Sequence, residues 1–137
     1  MKSISILVAD DEDSIRSLLE HFLTGIGHTV VVVSSAREAC NAMATRAFDL
    51  VITDVLMPDG DGLDLITELR KKQPNARILA MSGGGRYLEG SDYLKLAKGL
   101  GAHTAIMKPF TFEQLRGAMN VALAAPPDPR TQHDAAI

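Results

Sequence analysis

Asp54 ends a short apolar run, Asp49-Leu50-Val51-Ile52-Thr53, and Val55, Leu56, Met57 and Pro58 follow it, then the turn-rich Asp59-Gly60-Asp61-Gly62. A run of this length bounded by proline and glycine reads as a buried strand emptying into a loop. The pattern recurs along the chain. Asp10-Asp11 follow the apolar residues 4–9, Ser82 follows residues 78–81, and Lys108 follows residues 102–107. Singly, each has an ordinary explanation: an acidic residue caps a helix, a serine opens a loop, a lysine beside proline is solvated. Together they set three carboxylates, a hydroxyl and an ammonium along one edge of one sheet. Crowded carboxylates raise one another's pKa unless something compensates them. An all-oxygen set of this kind suits Mg²⁺, which takes a couple of carboxylates, keeps several waters and accepts a phosphoryl oxygen. Lys108 and Ser82 would then meet the remaining phosphoryl oxygens. The chemistry indicated is phosphoryl transfer onto Asp54. A carboxylate is already ionised at neutral pH and needs no general base, so the protein supplies chiefly position and charge neutralisation.

Alternating elements must hold these residues. Residues 4–9, 29–33, 50–54, 78–81 and 102–107 read as strands. Helical spacing of apolar residues appears over 14–23, 36–46, 62–72, 91–98 and 111–124. Ser34-Ser35 and Thr111 offer N-caps, the latter with Gln114 three residues on. Gly25 and Gly27, and Gly99 and Gly101, stand where helices should close. Five alternations of strand and helix imply a parallel sheet covered on both faces. In such sheets ligands bind beyond the carboxyl ends of the strands, where Asp10, Asp11, Asp54, Ser82 and Lys108 fall.

Bulk properties fit one domain. The chain has 137 residues, of which 46% are hydrophobic and 23% charged, a composition ordinary for a globular protein. A net charge of −3 gives no reason to expect nucleic acid or an anionic membrane as partner. The lone Cys40 excludes an internal disulfide framework. No apolar stretch approaches a membrane span, and Met1-Lys2-Ser3 runs directly into the first strand, so the expected location is cytoplasmic. Residues 1–125 are expected to form the domain. Residues 126–137, rich in proline and small residues, read as a disordered tail.

The combined signature resembles the receiver domains of two-component response regulators, the family that includes the chemotaxis receiver. It consists of Asp10-Asp11, Asp54 with Met57-Pro58 and Asp61-Gly62, Ser82, and Lys108-Pro109-Phe110, each with its own strand. The resemblance covers residues 4–124 and implies a flavodoxin-like sheet of order 2-1-3-4-5. It implies that Asp54 accepts a phosphoryl group from a phosphohistidine on a sensor histidine kinase or a histidine phosphotransfer protein. It also implies that Asp11 and Asp54 hold Mg²⁺ directly, Asp10 largely through water, and Leu56 through its backbone carbonyl. Lys108 would pair with the phosphoryl group, Ser82 would move to hydrogen-bond it, and Lys108-Pro109 would be cis.

Rival readings fit less well. A phosphotransferase of the haloacid-dehalogenase type would place a second Asp two positions after the first, where Leu56 stands. A calcium loop would need an oxygen ligand where Met57 stands. A dinucleotide fold would put glycines, not Asp10-Asp11, after the first strand. His21, His28, His103 and His133 lack metal-ligand spacing and are expected in surface or packing roles. A degenerate receiver serving only as a protein-interaction module is the remaining alternative.

Two departures from the family pattern stand out. Ala105 occupies the strand position where receivers carry an aromatic switch residue, which shifts the expected response to the glycine-rich residues 83–90 and to Tyr87. Leu56 cannot hydrogen-bond an attacking water, so slow loss of the phosphoryl group is expected. The segment after Pro126 is too short for a DNA-binding module. The expected output is therefore contact with a downstream protein target or onward phosphotransfer, with no direct nucleic-acid contact and no membrane insertion.

Overall fold

The computed structural model describes residues 2–55, 62–83 and 90–126. In chain order the elements are β1 (Ser5–Ala9), α1 (Asp13–Gly25), β2 (Thr29–Val33), α2 (Ala36–Thr45), β3 (Leu50–Asp54), α3 (Gly62–Lys72), β4 (Arg77–Ser82), α4 (Gly90–Leu100), β5 (Thr104–Met107) and α5 (Phe112–Ala124). The strands form one sheet of order β2-β1-β3-β4-β5, and every neighbouring pair is parallel. The parallel pairing is what the alternation of strand and helix implies, and the flavodoxin-like order is what the family resemblance implies.

Side chains on successive strand residues point to opposite faces, and the core divides accordingly. Leu7, Ala9, Val51, Ile78 and Ala80 pack with Ala39 and Met43 of α2, Leu65, Ile66 and Leu69 of α3, and Ala97 of α4. Ile6, Val8, Leu50, Ile52, Leu79 and Met81 pack with Leu19 and Leu23 of α1 and Leu115, Met119 and Ala122 of α5. Strands apolar on both sides are what a sheet covered on both faces requires. Across α1 and α5, Phe22 and Phe112 stack with ring centroids 4.1 Å apart.

Local chemistry sets the helix ends. Ser35 caps α2 by accepting the Glu38 N–H, and Thr111 and Gln114 form a reciprocal capping box on α5. Gly27 and Gly101 take positive φ, 101° and 120°, and after each glycine the chain turns back on its helix. His28 N–H donates to Leu23 O, and Ala102 N–H to Ala97 O. That closure explains why β5 begins at Thr104 and not at Ala102: the backbone of Ala102 is engaged in ending α4. Ala105 lies opposite Ala80 in register and packs partly buried on the face covered by α2, α3 and α4. Tyr87 and residues 84–89 lie outside the described residues, as does the expected tail beyond Pro126.

At the amino ends of the strands, side chains accept backbone N–H groups that the ladder leaves over. Asp49 Oδ2 takes Ser5 N–H at 2.9 Å, Gln73 Oε1 takes Phe48 N–H at 3.0 Å, and His28 Nδ1 takes Ile4 N–H at 3.2 Å. His103 Nδ1 takes Ile78 N–H at 3.0 Å. His28 and His103 thus cap strands. Because its Nδ1 accepts, neutral His28 carries its proton on Nε2, which is buried without a hydrogen-bond partner among the described residues. Burial, then the positive amino terminus, holds the His28 pKa below its ordinary value.

A depressed histidine pKa stabilises the fold above the unfolded-state pKa and loses that contribution as pH falls. His28→Asn places an oxygen acceptor near Nδ1 but does not titrate. The wild type should therefore lose more unfolding free energy between pH 7 and pH 5 than His28→Asn, measured by urea denaturation. Parallel profiles would remove His28 as the cause.

Candidate functional site

The carboxyl ends of β1, β3, β4 and β5 bring the charged groups together. Asp10 follows β1 and is fully buried, and Asp54, the last residue of β3, is nearly so. Lys108 follows β5, its backbone N–H bonded to Ser82 O at 2.8 Å, and Lys108-Pro109 is cis. From there its stem reaches back across the sheet. Nζ lies 2.7 Å from Asp10 Oδ2, 2.8 Å from Asp54 Oδ2 and 3.3 Å from Glu12 Oε1. Ser82 is buried at the end of β4, beside Met107 in register. A Cβ at Gly83 would meet Lys108 Cδ at 3.8 Å, an ordinary contact, so the lysine stem itself does not require glycine there.

Asp10 is braced as well as paired. Its Oδ1 accepts Glu12 N–H at 2.9 Å, and its carbonyl accepts from Arg16 Nη1 at 2.8 Å. Burial raises the Asp10 pKa, and Lys108 only partly offsets this. At Lys108 burial disfavours the ammonium, but the hydrogen bonds to Asp10 and Asp54 more than reverse that, and its pKa lies above the ordinary lysine value. The lysine is thus firmly charged, while Asp10 stays under electrostatic strain that a further cation would relieve.

Of the residues singled out in the sequence, Asp10, Asp54 and Lys108 meet directly, and Ser82 sits on the same edge. Asp11 is exposed. Among the described residues, the carboxylates of Asp10, Glu12 and Asp54 bring oxygens within 4.8 Å of one another. Glu12 was not singled out: within Asp10-Asp11-Glu12-Asp13 it reads as an ordinary first-turn acid. Leu56, expected to offer a carbonyl, lies outside the described residues, as do Met57, Pro58 and Asp61. The donor set is compact, all oxygen, partly buried and more negative than its one ammonium balances, so it fits a hard divalent cation. No helix among the described residues is long and apolar enough to cross a membrane.

The family model described as response regulator receiver domain matches residues 6–120. The chain is 37% identical over 123 residues to the DNA-binding transcriptional regulator NtrC of Azospirillum brasilense, covering 90% of this chain and 25% of that protein. It is 32% identical over 122 residues to the transcriptional regulatory protein ZraR of Escherichia coli K12, covering 89% of this chain and 27% of ZraR. It thus spans about a quarter of the length of these curated relatives. Among solved structures, the chemotaxis response regulator CheY4 of Vibrio cholerae superposes with a TM-score of 0.77 at 27% identity, covering 88% of this chain and 99% of CheY4. With a buried Asp54 and Asp10 held on one lysine at the carboxyl edge of a 2-1-3-4-5 sheet, and the family match running through every one of these strands, the chain belongs to the response regulator receiver domains, the phosphorylation-dependent switches of two-component signalling.

Proposed function

We propose that Asp54 is the phosphoacceptor and that its donor is a phosphohistidine on a sensor histidine kinase or histidine phosphotransfer protein. The observation that carries this reading is the position of Lys108, whose ammonium reaches past β4 from the end of β5 to touch Asp54 Oδ2 at 2.8 Å. An Asp54 oxygen forms the new P–O bond as the donor's P–N bond breaks, and the imidazole leaves. Lys108 follows the incoming negative charge onto a phosphoryl oxygen by a charge-assisted hydrogen bond. Ser82 donates its hydroxyl from the end of β4. Asp10 and Asp54, with Asp11 and the Leu56 carbonyl as the resemblance implies, would hold Mg²⁺. The metal supplies charge neutralisation for the phosphoryl oxygens.

Self-phosphorylation and self-dephosphorylation are then the domain's own chemistry, carried out in the cytoplasm. The signal leaves by contact with a downstream protein or by phosphorelay. Incubation with acetyl phosphate tests the reading. A base-labile acyl phosphate should form at Asp54 with Mg²⁺ and fall to background when the metal is chelated. Absence of label under both conditions would favour the interaction-only alternative.

A further inference from the structure

We infer that Glu12 is a positioning residue for Lys108: it holds the ammonium in the acidic site while Asp54 is unmodified and so opposes the move of Lys108 onto a phosphoryl group. The inference rests on Asp54 being the phosphoacceptor. Two independent observations carry it. First, Glu12 is the N-cap residue of α1 but makes no side-chain cap hydrogen bond. Short side chains (Ser, Thr, Asp, Asn) are favoured there because they reach the first free N–H groups. Glu12 instead sends its carboxylate across to Lys108. Second, an ammonium has three N–H donors, and Lys108 Nζ has three carboxylates around it, those of Asp10, Glu12 and Asp54.

The contacts differ in what they do on phosphorylation. Asp10 is buried and fixed by its bonds to the Glu12 N–H and Arg16. Asp54 is the group that changes. The Glu12 side chain is 56% exposed, and its contact, at 3.3 Å, is the longest of the three. When Lys108 turns to a phosphoryl oxygen on Asp54, the Glu12 contact is the one given up. The unmodified state keeps this ion pair and the phosphorylated state loses it, so Glu12 biases the switch toward off.

Affinity for beryllofluoride in saturating Mg²⁺, followed by amide chemical shifts at fixed ionic strength, tests this. Glu12→Gln removes the charge. Glu12→Asp keeps the charge but is one methylene too short to reach Lys108. Both should bind the mimic tighter than wild type by roughly two- to five-fold, the worth of a half-exposed ion pair. Glu20→Gln, which removes an exposed charge about two turns further along α1, should leave affinity unchanged. Tightening in Glu12→Gln with wild-type affinity in Glu12→Asp would show charge repulsion alone and overturn the inference, as would wild-type or weaker affinity in both. Thermal melting checks the fold independently: Glu12→Asp should melt above wild type, because aspartate caps α1 where glutamate does not. Wild-type protein that binds no beryllofluoride would remove the phosphoacceptor reading itself.

Discussion

Asp54→Asn is expected to reduce labelling by acetyl phosphate to background while the protein stays folded. The amide has no anionic oxygen to attack phosphorus, so the covalent step is lost outright. The fold has little reason to suffer. Asparagine has nearly the shape of aspartate, its Oδ1 can still accept from Lys108 Nζ, and one fewer carboxylate relieves Asp10, whose pKa Asp54 helps to raise. The variant should melt at or above the wild-type temperature. Labelling that persists in Asp54→Asn and maps to Asp10 or Asp11 would move the phosphoacceptor elsewhere on the same edge.

Lys108→Met should produce the largest loss of stability of any change at the site. Methionine keeps an unbranched stem but removes the ammonium that two buried carboxylates share. Leaving a buried charge without its partner costs roughly 3 kcal/mol or more when the charge cannot neutralise. Here it can neutralise. The Asp10 pKa already lies above its ordinary value through burial, and losing the hydrogen bond and charge of Lys108 raises it further. A carboxylate with a raised folded-state pKa destabilises the fold above that pKa, and the penalty fades as pH falls through it. The deficit of Lys108→Met against wild type should therefore be about 2–4 kcal/mol near pH 7.5, shrink toward pH 5, and shrink at neutral pH on adding Mg²⁺, by mass action on the folded state. Urea titrations at the two pH values, with and without the metal, measure this. A deficit that ignores both would belong to packing of the stem.

How far the sequence foretold this site depends on the separation of the partners. Asp54, Ser82 and Lys108 were legible because each ends an apolar run, and parallel strands bring their carboxyl ends to one edge. Glu12 was not, since its partner Lys108 lies 96 residues away and the acidic run around it already had a local reason to exist. The histidines were expected only in surface or packing roles, and their capping went unread for a similar cause: His28 and His103 cap strand N–H groups 24 and 25 residues distant, and no spacing rule marks a side chain that accepts from a neighbouring strand. The early start expected for the last strand failed on a local competition, in which the apolar Ala102 was claimed by the closure of α4. Alanine at position 105 was legible at once, and the sheet register adds that its strand neighbour is Ala80, another methyl.

The clasp at the far end of the molecule fixes where the chain departs. Arg77 Nε donates to the Ala125 carbonyl at 3.1 Å, and the proton on His103 Nε2 bridges to the Pro126 carbonyl at 2.8 Å. Both clasping residues stand at the amino ends of their strands, whereas Asp54 and Lys108 stand at the carboxyl ends. A strand of five residues measures roughly 17 Å, so the departing backbone is held about that far from the phosphoryl chemistry, with the whole sheet between. A charge arriving on Asp54 has no direct hold on that departure point.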